Sequence, residues 1–143
     1  MYNFKLKPAF KTAWIANLMS GIYHQGSAAL KTMRWAGGEP FGYCCLGVAA
    51  CTIQREFGIE MYEAGIAISE RDNDLTIYAP SASPYGVSAT LPREMMPLMF
   101  EDVDIKNSAQ VMELDAIHAH LTSMNDKDRA SFTEIATWIE QNL

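Results

Sequence analysis

Apolar residues recur at helical spacing in four stretches of the 143-residue chain and alternate at strand spacing in one. The first stretch runs from Pro8 to about Met19. Phe10, Trp14 and Leu18 return every four residues with Ala13 beside them, and this predicts an amphipathic helix. Pro8 suits its first position, where the missing N–H would lack an intrahelical partner anyway, and Gly21 suits its end. The second stretch starts near Cys44 and closes near Phe57, with Gly58 placed for a left-handed C-terminal stop. Leu46, Ala50, Ile53 and Phe57 share one face, while Gly47, Ala49 and Ala50 are small enough to let another element approach closely.

Leu114, Ile117, Leu121 and Met124 predict a third long helix, followed by a polar loop from Asn125 to Arg129. The fourth stretch has Phe132, Ile135 and Ile139 as its stripe, and Ser131 with Glu134 three residues later reads as a capping box. Between the second and third helices the pattern turns strand-like, from Ile59 to Leu91. Leu75–Tyr78 and Val87–Thr90 alternate and are rich in β-formers, with Pro80–Pro84 and Gly86 as the connecting loop. A short helical turn is expected at Pro92–Met96, limited by Pro97. Earlier, Gly26 reads as a turn. The residues from there to Trp35 are compatible with an extended segment or a short helix, broken again at Gly37, Gly38 and Pro40. These elements predict one α+β domain over residues 1–143, with four or five helices packed around a small antiparallel sheet or hairpin.

Composition adds apolar material in quantity: 49% of residues are hydrophobic and 20% charged, enough for a proper core. No apolar run approaches the ~18 residues of a membrane span, and Lys11 interrupts the start of the chain where a secretory leader would need its apolar region. A cytoplasmic setting is the expectation. Cys44, Cys45 and Cys51 lie within eight residues and are odd in number, which favours reduced thiols over a disulfide framework.

Charge is distributed unevenly. Residues 1–38 hold Lys5, Lys7, Lys11, Lys31 and Arg34 and no acid, a charge of +5; the remainder holds six basic and 17 acidic side chains, a charge of -11. The total of -6 argues against generic binding to a phosphate backbone, but it leaves room for a basic face that attracts a small anion. Within the fold, the two parts could equally attract each other.

The residues bear on several chemistries. A thiol at the start of the second helix would have its thiolate favoured by the helix dipole, and Phe41–Gly47 superficially resembles the approach to a papain-like nucleophile. The partners fit poorly: His118 and His120 fall within a helix and on different faces, with Asn125 nearby. Buried structural cysteines are the favoured reading. The cysteines lack CxxC spacing and His118-x-His120 has the wrong period for one helix face, so no metal site is expected. Glycine-rich phosphate loops are absent, and Asn125–Asp128 matches a calcium loop only in its first residues. No cofactor is implied. What remains is a basic and aromatic cluster. Tyr23, His24, Gln25, Lys31, Arg34 and Trp35 lie close in sequence and offer cations for phosphate, rings for stacking and an amide for a base edge.

The chain also resembles an uncharacterised family of small proteins found in tailed phages and some bacteria. The residues that carry the resemblance are Trp14, Gly21–Gly26, Cys44-Cys45-Leu46-Gly47-Val48, Leu91-Pro92, Met124-Asn125-Asp126, Ser131–Ala136 and Trp138-Ile139-Glu140. Departures from the family pattern are Met124 in place of Leu, an insertion-like Lys127–Ala130, and Ile22 within the Gly-Tyr step. The resemblance implies a phage or prophage origin, with the host cytoplasm as the place of action, and no defined activity. By analogy with other small phage proteins, the expected function is to counter host defence by binding and sequestering a small anionic, nucleotide-type signal without turnover, in a homo-oligomer. The alternatives are an acidic inhibitor of a host protein and a cysteine-dependent hydrolase.

Overall fold

Helix α1 spans Pro8–Met19 and helix α2 spans Cys45–Phe57, and the two are pinned together by polar contacts as well as by packing. The computed structural model describes residues 2–26, 31–34, 42–58, 62–63, 66–69, 74–77, 86–87, 91 and 93–143; for 31–34, 62–63, 66–69, 74–77 and 86–87 it defines backbone and register. The stripe Phe10, Trp14 and Leu18 is buried as its spacing requires. Trp14 Nε1 donates to the Cys45 carbonyl at 3.1 Å, so the largest core side chain also has its one polar group satisfied. Asn17 Nδ2 donates to Thr52 Oγ1 at 2.9 Å, and that hydroxyl donates to the Val48 carbonyl at 2.8 Å. Helix α2 is buried over most of its length, and its Gly47, Ala49 and Ala50 lie within the core. Gly58 ends it at φ 63°, a left-handed cap that a Cβ would strain.

Helix α4 (Ser108–Asp126) buries Val111, Leu114, Ile117, Leu121 and Asn125 along one side. It outruns the sequence expectation at its C-terminal end: Asn125 and Asp126 are helical, and Asn125 is buried rather than part of a solvated loop. The expected turn at Pro92–Met96 is a 3-10 turn at Arg93–Met95 that runs into the four-residue helix α3 (Met96–Met99). Helix α5 (Phe132–Asn142) begins at Ser131, whose hydroxyl accepts from the Glu134 backbone N–H at 3.2 Å. The N-terminal segment closes the helical layer: Leu6 bridges Phe100, and its N–H donates to the Leu143 carbonyl at 3.1 Å.

Seven strands lie between or beside the helices among the described residues: β1 (His24–Gln25), β2 (Lys31–Arg34), β3 (Gly42–Tyr43), β4 (Tyr62–Glu63), β5 (Ile66–Ser69), β6 (Asp74–Ile77) and β7 (Gly86–Val87). One sheet has the order β1-β3-β2-β6-β5; β1 and β3 are parallel and its other pairs antiparallel. Strands β4 and β7 form a second, parallel pair. The fold is therefore α+β with five α-helices among the described residues, as the pattern predicts. The strand partners differ from expectation. Leu75–Ile77 does not pair with Val87; β6 lies between β2 and β5, in a hairpin whose register matches Ser69 with Asp74. Four residues separate β5 from β6, a common hairpin length, whereas eight separate β6 from β7, so the nearer pairing costs less to close. The segment before Trp35 is extended from Lys31 to Arg34, which settles the choice between strand and short helix.

Candidate functional site

The basic, aromatic stretch is the first place to look, and the fold divides it. Tyr23 is half-buried, edge-on to Tyr43 at 5.2 Å, and its hydroxyl accepts from Arg55 Nη1 at 3.5 Å. Burial pushes its phenol above the ordinary value, helped by the neighbouring Cys51. His24 is exposed on β1. Gln25, also exposed on β1, commits its amide to internal partners: its Nε2 donates to the Ala130 carbonyl at 2.7 Å and to Asn125 Oδ1 at 3.1 Å. Lys31 and Arg34 are the first and last residues of β2, and Arg34 stands opposite Asp74 in the register. Trp35 lies outside the described residues, as do Phe41, Pro92 and the Pro80–Pro84 loop. Of the other early cations, Lys5 Nζ donates to the Asn142 carbonyl at 3.4 Å and Lys11 Nζ to the Glu140 carbonyl at 3.0 Å, with the Glu140 carboxylate 3.7 Å from Lys11. Both lysines meet the last turn of α5, where carbonyls lack intrahelical donors and the dipole favours cations. The fold thus uses part of the charge asymmetry within itself.

Cys44 and Cys45 are buried, and Cys51 is half-buried. Cys44 caps α2 through its sulfur, which accepts from the Gly47 N–H at 3.4 Å. Burial outweighs the backbone donors and pushes its thiol up to about 11. Cys45 is also raised well above its ordinary value, by burial first and by Cys44 second. Both thiols are protonated at neutral pH, opposite to what the helix dipole alone would predict. No group of three or more His, Cys, Asp or Glu that could hold a metal is gathered among the described residues.

Asn125 explains why several sequence blocks belong together. Its Oδ1 accepts from the Cys45 backbone N–H at 3.2 Å and from Gln25 Nε2; its Nδ2 donates to the Gly26 carbonyl at 2.8 Å and to Asp126 Oδ1 at 2.7 Å. Two acceptor positions and two donor hydrogens are all filled, so a side chain only 4% exposed carries no unmet demand. Close approach favours glycine at position 26: a Cβ there would lie 3.0 Å from the Gly42 backbone.

A different part of α4 offers open space. A cleft of about 580 Å³ lies along the helix, between its flank and the segment that carries the 3-10 turn. Leu91, Met96, Ile105, Val111 and Leu114 supply apolar lining. Arg93, Asp115, Thr122, Ser123, Asp126 and Lys127 supply polar groups, two of them cationic and two anionic. Arg93 and Asp115 stand 3.7 Å apart and are both well exposed, so this pair adds little to stability. His118 also lines the cleft. Its Nδ1 lies 2.8 Å from the Leu114 carbonyl, which can only accept, so Nδ1 carries the ring hydrogen. Burial lowers the His118 pKa, against the opposing pulls of the Leu114 carbonyl and Asp115, so the ring is neutral at pH 7. Nε2 is then a lone-pair acceptor, and it is buried with no hydrogen-bond partner among the described residues.

Sequence reading missed this cleft. The stripe Asp115, His118, Thr122 and Asp126 has helical spacing, but mixed polar residues beside an apolar stripe look like an ordinary solvated flank. No helix of the described residues is long and apolar enough to cross a membrane. No curated protein and no solved structure matches the chain. Residues 6–143 match the family model described as a domain of unknown function, DUF8296, and the chain therefore belongs to the DUF8296 family.

Proposed function

We propose that this protein captures a small, base-bearing anion in the α4 cleft and holds it without chemical turnover. The observation that carries the reading is the cleft itself, whose volume of about 580 Å³ falls inside the ~300–1,000 Å³ range of small-molecule sites. The apolar lining suits a planar ring. The Arg93 guanidinium and the Lys127 ammonium suit a phosphate, and the Thr122 and Ser123 hydroxyls suit a sugar. Asp115 and Asp126 oppose an unpaired anion, which favours a ligand that also brings hydrogen-bond donors.

This reading keeps the ligand class expected from the sequence and moves its site. Two of the early-chain candidates, Tyr23 and Gln25, already hold internal partners. Protonated, buried Cys44 and Cys45 are poor nucleophiles, which favours capture over thiol chemistry. In the phage setting that the sequence resemblance implies, such capture would withhold a nucleotide-type signal from host defence.

The test is direct. Purified protein is incubated with the nucleotide pool of a cell extract, washed and heat-denatured, and the supernatant is read by mass spectrometry. An intact base-bearing phosphate should be released from the wild type and be largely lost from the Arg93→Ala/Lys127→Ala double variant. Release of a converted product would overturn capture without turnover. Recovery of no small molecule, with a host protein retained instead, would favour the acidic-inhibitor alternative.

A further inference from the structure

His118 carries information about the ligand that the size and charge of the cleft do not. A buried acceptor without a donor costs about 1–3 kcal/mol, and folded proteins keep few such groups. Nothing in the packing of α4 requires histidine there: the Leu114 carbonyl, four residues earlier, is already placed to accept the ordinary helical hydrogen bond. A leucine or phenylalanine would line the same wall without the penalty. The unpaired Nε2 therefore has its explanation in what enters the cleft rather than in what builds it.

We infer that the molecule taken up along α4 presents an N–H or O–H donor to His118 Nε2, so that the site selects a base edge bearing a donor and disfavours one offering only acceptors. This deepens the proposed capture function and rests on it. Because Nδ1 is held by the Leu114 carbonyl, the tautomer is fixed before the ligand arrives, and Nε2 can only accept. Arg93 and Lys127 then take the anionic end, and the histidine reads the other. Loss of this one contact should discriminate strongly, because the ligand's donor would be buried against an apolar wall.

The experiment is calorimetric titration of the full chain at pH 7.5 with the four ribonucleoside 5′-monophosphates, for the wild type, His118→Phe and His118→Gln. The wild type is expected to bind at least one of them. His118→Phe should weaken that binding by about tenfold, the scale of one hydrogen bond, and His118→Gln, whose carbonyl can accept, should stay within about threefold of the wild type. Equal binding by wild type and His118→Phe would overturn the role of Nε2 and leave the capture function standing. Absence of binding by the wild type to all four would overturn both. Should His118→Phe fail to fold, the imidazole ¹⁵N resonances of the wild type decide. The Nε2 signal must move to lower frequency when the cleft is saturated, as it does when a bare ring nitrogen accepts a hydrogen bond, and an unmoved signal would sink the inference.

Discussion

Helix α4 carries two polar side chains seven residues apart, about two turns and 10 Å along one axis, the buried Asn125 and the half-buried His118, and treats them in opposite ways. Asn125 is given a partner for every donor and acceptor it owns. His118 is given one partner and left with a buried lone pair beside open space. The difference separates polar groups that hold a fold together from polar groups that wait for something. A satisfied group gains nothing from a ligand and loses much if cut. An unsatisfied group weakens the empty protein and gains from a visitor. On this criterion the Gln25–Asn125–Cys45 junction is architectural, and the His118 wall is the part left open to a ligand.

The contrast can be broken most forcefully at Asn125. Asn125→Ala leaves the Cys45 N–H and the Gly26 carbonyl without this partner in a buried setting, and should cost about 3–4 kcal/mol of unfolding free energy by urea titration. A loss under about 1 kcal/mol would mean that the junction is not architectural. Gln25→Ala removes one arm of the same junction and should cost about 1 kcal/mol, since Asn125 Oδ1 keeps the Cys45 N–H. At the other pole, His118→Phe should leave the ligand-free stability within about 1 kcal/mol of wild type, because the lost ring contact is offset by removal of the unpaired acceptor.

The two sites also differ in how pH reaches them. The His118 pKa is lowered by burial, so the unfolded chain binds the proton more readily than the folded one. Its contribution is fully present above the ordinary value of 6.5 and is lost as pH falls from there through the folded pKa; His118→Phe should flatten that decline in the urea midpoint. Cys44, raised from 9.0 to about 11, works in the alkaline direction: its contribution is present below 9 and is lost as pH climbs toward 11. Cys44→Ser, whose hydroxyl does not ionise in that range, should flatten the alkaline limb and leave the acid one unchanged. The smallest expected effect lies just past the junction, where Arg129 sits at φ 52° with its residue exposed. Arg129→Gly should gain roughly 0.5 kcal/mol in thermal unfolding by relieving left-handed strain.

The helices were legible because their signals are local. Phe10, Trp14 and Leu18 share a stripe whatever the rest of the chain does, Pro8 and Ser131 mark starts, and Gly58 marks a stop. Strand pairing was less so. Ile66–Ser69 alternates as well as Leu75–Ile77, and the choice of partner turns on loop closure and on β2, which lies some forty residues upstream of β6. Asn125 illustrates a sharper limit. In Asn125–Arg129 a run of polar residues reads as solvated, yet the first of them is the least exposed polar side chain of α4 because Gln25, Gly26 and Cys45 converge on it. Contacts spanning 80 to 100 residues leave no local trace.

The sequence by itself determined the α+β class, the principal helices with their caps, and the uneven placement of charge, since propensity, spacing and capping act over a few residues. Tertiary structure decided what the charges and polar groups are for. It turned Lys5 and Lys11 onto the end of α5, tied the Gln25 amide to Asn125 and Ala130, drove the thiols of Cys44 and Cys45 toward the protonated form, and opened a cleft in which His118 keeps an unmet acceptor. Burial and hydrogen-bond satisfaction depend on which distant segments meet, and that is fixed only when the chain closes on itself.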